Sequence, residues 1–542
     1  MSKDKTSTDV LIVGAGPTGL TLALELTVQN VAFRIIDSKP VRSDKSRAFI
    51  LHARSQELLS RHDTIIPKLL EEGMRNLGVR MFVDKKYRFE LDFSDAGKDH
   101  IGFVDTEYPT PLMVSQAKIE AVMEARLLEL GTEIERSLIA EKLSQESSGV
   151  TLTARNSSTE HVEEIQAKYI VGCDGAHSFI RKALDIPFIG SAYDSEYIHA
   201  DVRLKWQFPY DRLTMFMARG FMMCIPQNNN VFRVVTLRPS HPSSIEPTMD
   251  DFRKALKVFV PGECEISDPV WLSNYRISHR IADRFQKGRC FLAGDAAHIH
   301  SPAGGQGMNT GIQDSINLGW KLGQVLRGEV GSSLLDSYHD ERYRVGTRLL
   351  TGTDWFFEFL TTTNIFYTWI RNWFVANFGA WMMSSPERRA NQFRFISQLG
   401  VRYRHSSISS TDPSYKGRLR GGDRAPDGAI DAEGTNHLQG LFRGPGHHLL
   451  LFSGMGKKAI GSKEMDDMEK TWKKTQGENW FTIHHVTSTA IDDNAVDKEG
   501  IVHKRYGFEN PGFVLVRPDG YIASIGTMSA LLSKEKIYES AA

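Results

Sequence analysis

Cysteine is scarce in this chain, and the few cysteines present have neither redox nor zinc-binding spacing. No CxxC pair occurs among the 542 residues, whose cysteines are Cys173, Cys224, Cys264 and Cys290. Disulfide frameworks and thiolate zinc sites require several appropriately spaced cysteines, so neither is expected to organise this fold. Reduced thiols and a polar N-terminal segment without a secretory apolar region predict a cytoplasmic protein.

Net charge and long apolar runs are also lacking. Lys+Arg and Asp+Glu number 66 each, and nucleic-acid binders normally carry a basic excess, so we expect no nucleic-acid partner. Glu358 and Arg371 interrupt the most apolar stretch, 355–383, leaving runs too short for the ~20 residues of a membrane span. We expect this aromatic stretch to form core or a pocket wall, with attachment to a membrane surface as the alternative.

A glycine-rich turn near the N-terminus has the setting of a dinucleotide site. Residues 10–13 form an apolar strand, a helical pattern follows the GxGxxG motif, and a second strand ends at Asp37. This βαβ context predicts a diphosphate at the helix N-terminus and a ribose on the acid, without separating NAD(P) from FAD. The predicted cofactor contacts here are Gly14, Gly16, Pro17, Thr18, Gly19, Asp37 and Ser38.

A second glycine-rich segment, 289–322, reads RCFLAGDAAHIHSPAGGQGMNTGIQDSINLGWKL. Its pattern predicts a buried strand, a turn at Gly294-Asp295, a loop containing Gly305 and Gly307, and a helix from about Asn309. Small residues there let backbone N–H groups approach a polar ligand closely. His298 and His300 have metal-ligand spacing, but no third ligand fits them, so we predict structural roles and no metal.

Three motifs together resemble the single-component FAD-dependent aromatic hydroxylases, which include phenol and polyketide hydroxylases. They are the GxGxxG at 14–19, the DG motif CDGAHSFIR at 173–181, and the GD motif LAGDAAHIHSPAGGQGMNTGIQDSINLGWKL at 292–322. The resemblance implies an α/β fold like that of p-hydroxybenzoate hydroxylase, in which an antiparallel substrate sheet is inserted into a Rossmann-like FAD-binding domain. It also implies a C-terminal thioredoxin-like domain.

The predicted organisation combines this resemblance with the β alternation of 186–285 and the polar stretch near 411. The boundaries are 1–185 and 281–345 for the FAD-binding domain, 186–280 and 346–410 for the substrate domain, 411–427 for a linker, and 428–542 for the thioredoxin-like domain. No cysteine follows Cys290, so the last domain is expected to lack thiol redox chemistry. A structural role or a homodimer contact is the expectation for it.

The resemblance further implies bound FAD, with NADPH or NADH and molecular oxygen as co-substrates. Asp295 is expected near the ribitol chain, the 304–309 loop beneath the flavin ring, and Asp174 near the pyrophosphate and the NAD(P)H route. The remaining implied cofactor contacts are Arg47, Gln116, Gly175, Gly294, Pro302, Gly305, Gly307, Met308 and Asn309.

The implied activity is hydroxylation of an aromatic or polycyclic phenol through a flavin C4a-hydroperoxide. Alternatives are Baeyer–Villiger oxygenation of a polyketide ketone, an oxygen-independent flavin dehydrogenase, and a flavin-binding module without catalysis. Related phenol hydroxylases carry an acid shortly before the arginine matching Arg54, and residues 48–52 lack one, which argues against simple phenol. Candidate catalytic residues are His52, Tyr275, His279 and Arg280, and candidate pocket residues are Met217 and Met223.

Overall fold

A computed structural model describes ten segments that together make up most of the chain. These are residues 7–43, 48–93, 105–238, 246–301, 303–379, 381, 385–431, 435–476, 481–488 and 495–532. The strands are β1 Ser7–Val13, β2 Phe33–Asp37, β3 Ile50–Leu51, β4 Met74–Arg75, β5 Gly78–Val83, β6 Lys86–Asp92, β7 Leu112–Met113, β8 Glu135–Arg136, β9 Leu138–Gln145, β10 Val150–Asn156, β11 Val162–Gly172, β12 Phe188–Lys205, β13 Leu213–Ala218, β14 Gly220–Pro226, β15 Val231–Leu237, β16 Glu265–Ala282, β17 Gln286–Lys287, β18 Cys290–Leu292, β19 His298–Ile299, β20 Ser410–Thr411, β21 His447–Phe452, β22 Phe481–Thr487, β23 Ala495–Val496, β24 Gly512–Val516 and β25 Ile522–Thr527. The helices are α1 Pro17–Val28, α2 Ala53–Leu59, α3 Ile65–Glu72, α4 Gln116–Glu129, α5 Phe179–Ala183, α6 Met249–Phe259, α7 Gly307–Leu326, α8 Asp336–Thr361, α9 Ile365–Phe374, α10 Pro386–Ile396, α11 Ser462–Gln476, α12 Ile501–Tyr506 and α13 Met528–Leu532.

The first sheet has the order β17-β18-β11-β1-β2-β8, and its central strands are parallel. β9 and β10 extend β11 as an antiparallel flap. The apolar run of β1 is buried because α1 and α7 lie against this sheet, which is how a parallel sheet keeps both faces dry. This is the Rossmann-like unit that the N-terminal motif predicts, and the prediction is confirmed.

The second sheet runs β19-β16-β12-β15-β14-β13-β5-β6 and is mainly antiparallel. One face packs under α6 through Phe216, Phe232 and their neighbours, and the other face meets the first unit. β5 and β6 belong to this sheet, since β5 pairs with β13, although the sequence-based boundaries assign them to the FAD-binding domain. Pairing between segments distant in sequence has no local signature, which is why β5 and β6 could not be assigned to this sheet from the sequence.

The C-terminal sheet has the order β20-β25-β24-β21-β22-β23. β21 is parallel to β22 and antiparallel to β24, and helices α11 and α13 cover one face. The thioredoxin-like assignment stays a prediction. Residues 411–427 are packed rather than extended in solvent: β20 joins this sheet, and Asp423, Arg424 and Ala425 are buried.

Within the aromatic stretch 355–383, helix α9 does not form core as predicted, whereas Phe359 and Val375 pack against a buried cluster. Five side chains of α9, from Ile365 to Trp373, are 60–69% exposed. The buried exceptions are Thr368, Arg371 and Asn372, so the helix turns its polar side inward. Among the described residues, no helix is long and apolar enough to cross a bilayer.

Candidate functional site

In the first glycine turn, residues 14–19, two glycines lie close to other backbone atoms and the third faces open space. A Cβ at Gly14, whose φ is 106°, would lie 2.4 Å from the Cys173 carbonyl oxygen, and a Cβ at Gly19 would lie 1.9 Å from that of Gly14. A Cβ at Gly16 would meet nothing within 4 Å. Pro17 then begins α1. Gly14 and Gly19 therefore let the turn close, and Gly16 leaves the helix N-terminus open to a diphosphate.

Asp37 lies at the end of β2, beside this turn. Its carboxylate accepts hydrogen bonds from the Ala15 N–H at 2.7 Å and the Lys39 N–H at 2.8 Å. Each oxygen keeps acceptor capacity, so the acid can also receive ribose hydroxyls. Ser38 follows it and is exposed.

The DG motif lies directly beside the first turn, because Cys173 contacts Gly14. Asp174 accepts the backbone N–H groups of Phe179 and Ile180 at 2.7 and 3.1 Å, and burial raises its pKa. Gly175, with φ 77°, faces open space. Asp174 thus orders the loop that follows β11.

The GD motif meets the first turn through Thr18. A Cβ at Gly294 or at Gly311 would lie 2.4 Å from Thr18 Oγ1, and Ser315 Oγ donates to the Thr18 carbonyl at 2.6 Å. Thr18 therefore packs between two glycines of one motif that lies almost 300 residues further along the chain. Asp295 is exposed on the Gly294–Ala296 turn, at the same edge.

Gly304 and Gly305 shape the loop before α7, with φ of 78° and 65°. His52 Nε2 lies 2.6 Å from the Gly304 carbonyl, while Asn309 accepts from the His52 N–H at 2.8 Å and donates to the Ile50 and Gly305 carbonyls. Burial lowers the pKa of His52 to about 4, so the ring is neutral and Nε2 carries the proton. His52 and Asn309 thus clamp the loop that α7 follows.

Asp314, which sequence reasoning missed, supports the GD motif from inside α7. Its carboxylate accepts the Gly294 N–H at 2.9 Å, His298 Nε2 at 2.7 Å and Arg342 Nε at 2.6 Å. Burial opposes its charge, but Arg342 and His298 outweigh that and lower its pKa to about 2. The sequence signal that could have identified Asp314 is an acidic residue among the buried positions of helix α7. The structural role predicted for His298 stays a prediction, and its contact with Asp314 is consistent with that role.

The remaining predicted residues are dispersed around these turns. Arg47 and Pro302 lie outside the described residues, as does the Tyr275 side chain, although its backbone pairs with Tyr197. Gln116 accepts the Ala48 N–H at 3.3 Å, while Gly307 and Met308 begin α7. Arg280 pairs with Ile299 at the sheet edge, and His279 Nε2 lies 3.1 Å from Ser191 Oγ.

An apolar face of the second sheet lies opposite the glycine loop. Met215 pairs with Met223 across β13 and β14, and Met217 is buried against Met81 and Val83. Further along the same face, Leu213 and Ile225 contact Phe49 and Ile50 of the FAD-binding unit. A Cβ at Gly305 would lie 2.9 Å from Ile50 Cδ1, so this face and the loop are neighbours.

One end of that face is polar, and sequence reasoning missed it. Arg233 donates to both Asp201 oxygens at 2.8 Å and lies 5.1 Å from the Phe49 ring. His199 packs edge-on to Trp271 with centroids 4.5 Å apart, and burial together with Arg233 lowers its pKa to about 4. The signal was present in β12, where His199 and Asp201 alternate with apolar residues.

Known proteins share this arrangement. The family model described as FAD binding domain matches residues 7–353. Anhydrotetracycline monooxygenase of Streptomyces rimosus is 30% identical over 533 residues, covering 95% of this chain and 94% of that protein. Pentachlorophenol 4-monooxygenase of Sphingobium chlorophenolicum is 30% identical over 540 residues, covering 95% and 93%.

The solved structure of the anhydrotetracycline hydroxylase OxyS from Streptomyces rimosus has a TM-score of 0.70 and 29% identity, covering 96% of each chain. The predicted family, fold class and cofactor are therefore confirmed. The open edge at Gly16 and the acid at Asp37 fit FAD's diphosphate and ribose. The chain belongs to the FAD-binding-domain family of flavoprotein monooxygenases, and it is an FAD-dependent aromatic monooxygenase.

Proposed function

We propose that the substrate is a fused-ring phenol held between the 303–309 loop and the methionine face of the second sheet. Met215 and Met223 supply an adaptable apolar wall, because thioether side chains are flexible and polarisable. Two full-length relatives are named for anhydrotetracycline and pentachlorophenol, both aromatic compounds. FAD, when bound, supplies the reduced carrier that activates oxygen after hydride transfer from NAD(P)H.

The observation that carries this proposal is the path from Gly305 to Arg233. Ile50 contacts the glycine loop, Phe49 shares a cluster with Ile50, and Arg233 lies over Phe49. A flat ring system on this path would have an apolar wall along its length and a cation at one end. That combination matches the apolar pocket with few convergent polar groups that small-molecule sites show.

Arg233 is proposed to orient the oxygen of the substrate. Asp201 holds its guanidinium through two bonds, and Gln227 Nε2 donates to Asp201 at 2.9 Å. A fixed cation beside a phenol lowers the phenol pKa and so favours the electron-rich phenolate. His199, neutral at pH 7, is the candidate acceptor of that proton.

The other candidate residues either position the glycine loop or remain candidates for contact with the ligands. His52 holds the Gly304 carbonyl and so sets the loop rather than transferring a proton. Tyr275 and Arg280, on β16, remain candidates for contact with the substrate or the ring. The cofactor contacts proposed are the backbone at Gly16, Gly175, Gly294, Gly305, Gly307 and Met308 and the carboxylates of Asp37 and Asp295.

The cysteines support the proposed cytoplasmic location. Cys173, Cys224 and Cys290 are buried, and burial raises the pKa of each thiol. Buried thiols of high pKa are unreactive and suit a reducing compartment.

The decisive experiment is turnover with a panel of phenols. Purified protein should retain FAD, and the right fused-ring phenol should stimulate NAD(P)H oxidation and yield a product heavier by one oxygen. NMR of the product then separates ring hydroxylation from the lactone of a Baeyer–Villiger reaction. Stimulation by non-aromatic ketones alone, or turnover without oxygen, would refute the proposal.

Arg233→Lys tests the polar end of the pocket. Lysine keeps the charge but loses the two-pronged geometry, so kcat/KM should fall about 10- to 100-fold. Arg203→Lys on β12 is the matched control, because Arg203 is exposed and forms an ion pair with Asp268, which is also exposed. Equal activity of the two variants would remove Arg233 from the site.

A further inference from the structure

Helix α9 and the segment after it carry a patch of exposed aromatic side chains. We define the aromatic patch as Ile365, Phe366, Tyr367, Trp369, Trp373, Phe374, Phe378 and Trp381. Trp369 is 69% exposed and Trp373 is 60% exposed. Phe378 stacks on Phe374 and Trp381 at 4.6 and 4.8 Å, so the rings form one surface. Contiguous apolar surfaces of this kind mark interaction sites.

Buried polar contacts fix which side of α9 faces outward. Arg371 is fully buried and donates to the Thr362 and Ala218 carbonyls and to Asn372. Asn372 in turn donates to Asp84 at 2.9 Å. Rotating α9 to bury its tryptophans would break these hydrogen bonds and expose their donors and acceptors to water. The buried contacts of Arg371 and Asn372 therefore keep the aromatic face of α9 on the surface.

The border of the patch is mainly basic. Lys85 and Lys86 are exposed in the β5–β6 turn next to Asp84, and Arg219 is exposed next to Ala218. The Arg388 guanidinium lies 3.7 Å from the Trp381 ring. Two carboxylates, Asp84 and Glu387, accompany these four cations in the described part of the border.

We propose that the aromatic patch docks on an anionic phospholipid surface. Tryptophan and tyrosine favour the membrane–water interface because their rings are apolar with one polar edge. Flanking lysines and arginines add attraction to anionic head groups. Helix α9 exposes its apolar side and is held to the protein by its polar side. We therefore expect it to lie in the membrane–water interface rather than to cross the bilayer.

The charge of the border favours a membrane over a second copy of the chain. In a two-fold contact the same surface meets itself, so the basic border of one copy would face that of the other. Like charges across an interface are unfavourable, whereas anionic lipid neutralises all four cations. The aromatic patch therefore fits an anionic lipid surface better than it fits the same patch on a second copy of the chain.

Docking there would bring the substrate face close to the lipid. Val375, immediately after α9, and Phe359 of α8 pack against the buried cluster that contains Met217, as does Met215. A flat apolar substrate dissolved in the bilayer would then have a short route to the methionine face. This consequence depends on the proposed function, whereas the docking itself does not.

Flotation of the holoenzyme with vesicles tests the docking. Vesicles of phosphatidylcholine with about 30% phosphatidylglycerol should carry the protein at low salt, and pure phosphatidylcholine should carry less. Trp369→Ser/Trp373→Ser should lower the bound fraction roughly tenfold, since membrane binding scales with buried apolar area. Lys86→Glu/Arg219→Glu should lower binding to the anionic vesicles only. Leu128→Ser/Val270→Ser, at exposed apolar residues elsewhere, is the control that should bind normally.

Retained FAD absorbance shows that each variant is folded. Failure of the unaltered holoenzyme to float on anionic vesicles at low salt overturns the proposal, as does equal loss in the control variant. Sedimentation as a dimer that the tryptophan substitutions dissociate, without flotation, also overturns it and assigns the patch to a second copy. Flotation without any phenol turnover would leave the docking standing and refute only the proposed function.

Discussion

The FAD-binding unit contacts its two neighbours through surfaces of opposite character. Toward the C-terminal sheet the contact is ionic and dry: Arg517 binds Glu341 at 2.6 and 3.0 Å and Asp519 at 3.0 and 2.5 Å, while Lys321 Nζ donates to Glu341 at 2.8 Å. Toward the second sheet the contact is made by methionine and other apolar side chains such as Phe49.

This difference separates a fixed contact from an adaptable one. Buried charges tolerate little displacement, because each must keep its partner in a medium that screens poorly. Methionine side chains change rotamer at small cost and fill irregular space. The ionic contact therefore holds α7, whose N-terminus carries the glycine loop, and the methionine face is free to fit a ligand.

Arg517→Met should give the largest effect. It removes the cation that the buried carboxylates of Glu341 and Asp519 share, while Lys321 still donates to Glu341. Removing one partner of a buried ionic group typically costs about 3–5 kcal/mol of unfolding free energy. Denaturant unfolding of the FAD-bound enzyme measures it.

The matched control for that variant is Arg443→Met. Arg443 pairs with Asp63 between the same two units, but both side chains are largely exposed. Exposed pairs contribute less than about 1 kcal/mol. If both variants lose equal stability, the ionic contact is not the fixed one.

Met217→Ala probes the methionine face of the second sheet at a buried position. Met217 is 2% exposed against Met81 and Val83, so truncation leaves a cavity and should cost about 2–4 kcal/mol. Because the wall can relax, we expect the loss to fall below that of Arg517→Met. A larger loss than for Arg517→Met would contradict the view that the methionine face is the more adaptable of the two regions.

His52 should make stability depend on pH. Its folded pKa of about 4 lies below the ordinary value of about 6.5, so the unfolded chain takes up this proton first as pH falls. Stability therefore decreases from pH 6.5 toward 4, by about 2 kcal/mol at pH 5 for this residue. His52→Gln should flatten that slope relative to the unaltered enzyme, as followed by thermal unfolding at pH 7 and 5. Parallel slopes would show that His52 is not buried in its neutral form.

Met223→Leu should have the smallest effect on stability. Met223 is half-buried, and volume-conserving apolar exchanges cost less than about 1.5 kcal/mol. The branched side chain adapts less well, so we expect KM for the best phenol to change severalfold while kcat is kept. Steady-state kinetics across the phenol panel measures this, and an unchanged KM for every substrate would place Met223 outside the pocket.

Sequence reasoning predicted the glycine turns that we assign to the cofactor and did not predict the polar residues of the proposed substrate side. Gly14, Gly16, Gly19 and Asp37 could be predicted because each is required by local backbone geometry within one βαβ unit. Arg233 could not, because its proposed role depends on Asp201 of β12 and on Phe49, which precedes β3 and lies far away in the sequence. The expected burial of the aromatic stretch failed at α9 for a related reason: composition does not reveal which side of a helix a buried arginine holds inward.

The amino-acid sequence by itself determined the Rossmann-like unit, the glycine turns and, through three motifs, the flavin chemistry. Those features rest on short-range sterics and on hydrogen bonds between near neighbours. Only the tertiary structure decided that Thr18 packs between Gly294 and Gly311, that β5 and β6 join the second sheet, and that an ionic contact ties α7 to the C-terminal unit. Contacts across hundreds of residues are set by packing and charge pairing in three dimensions, which no local pattern encodes.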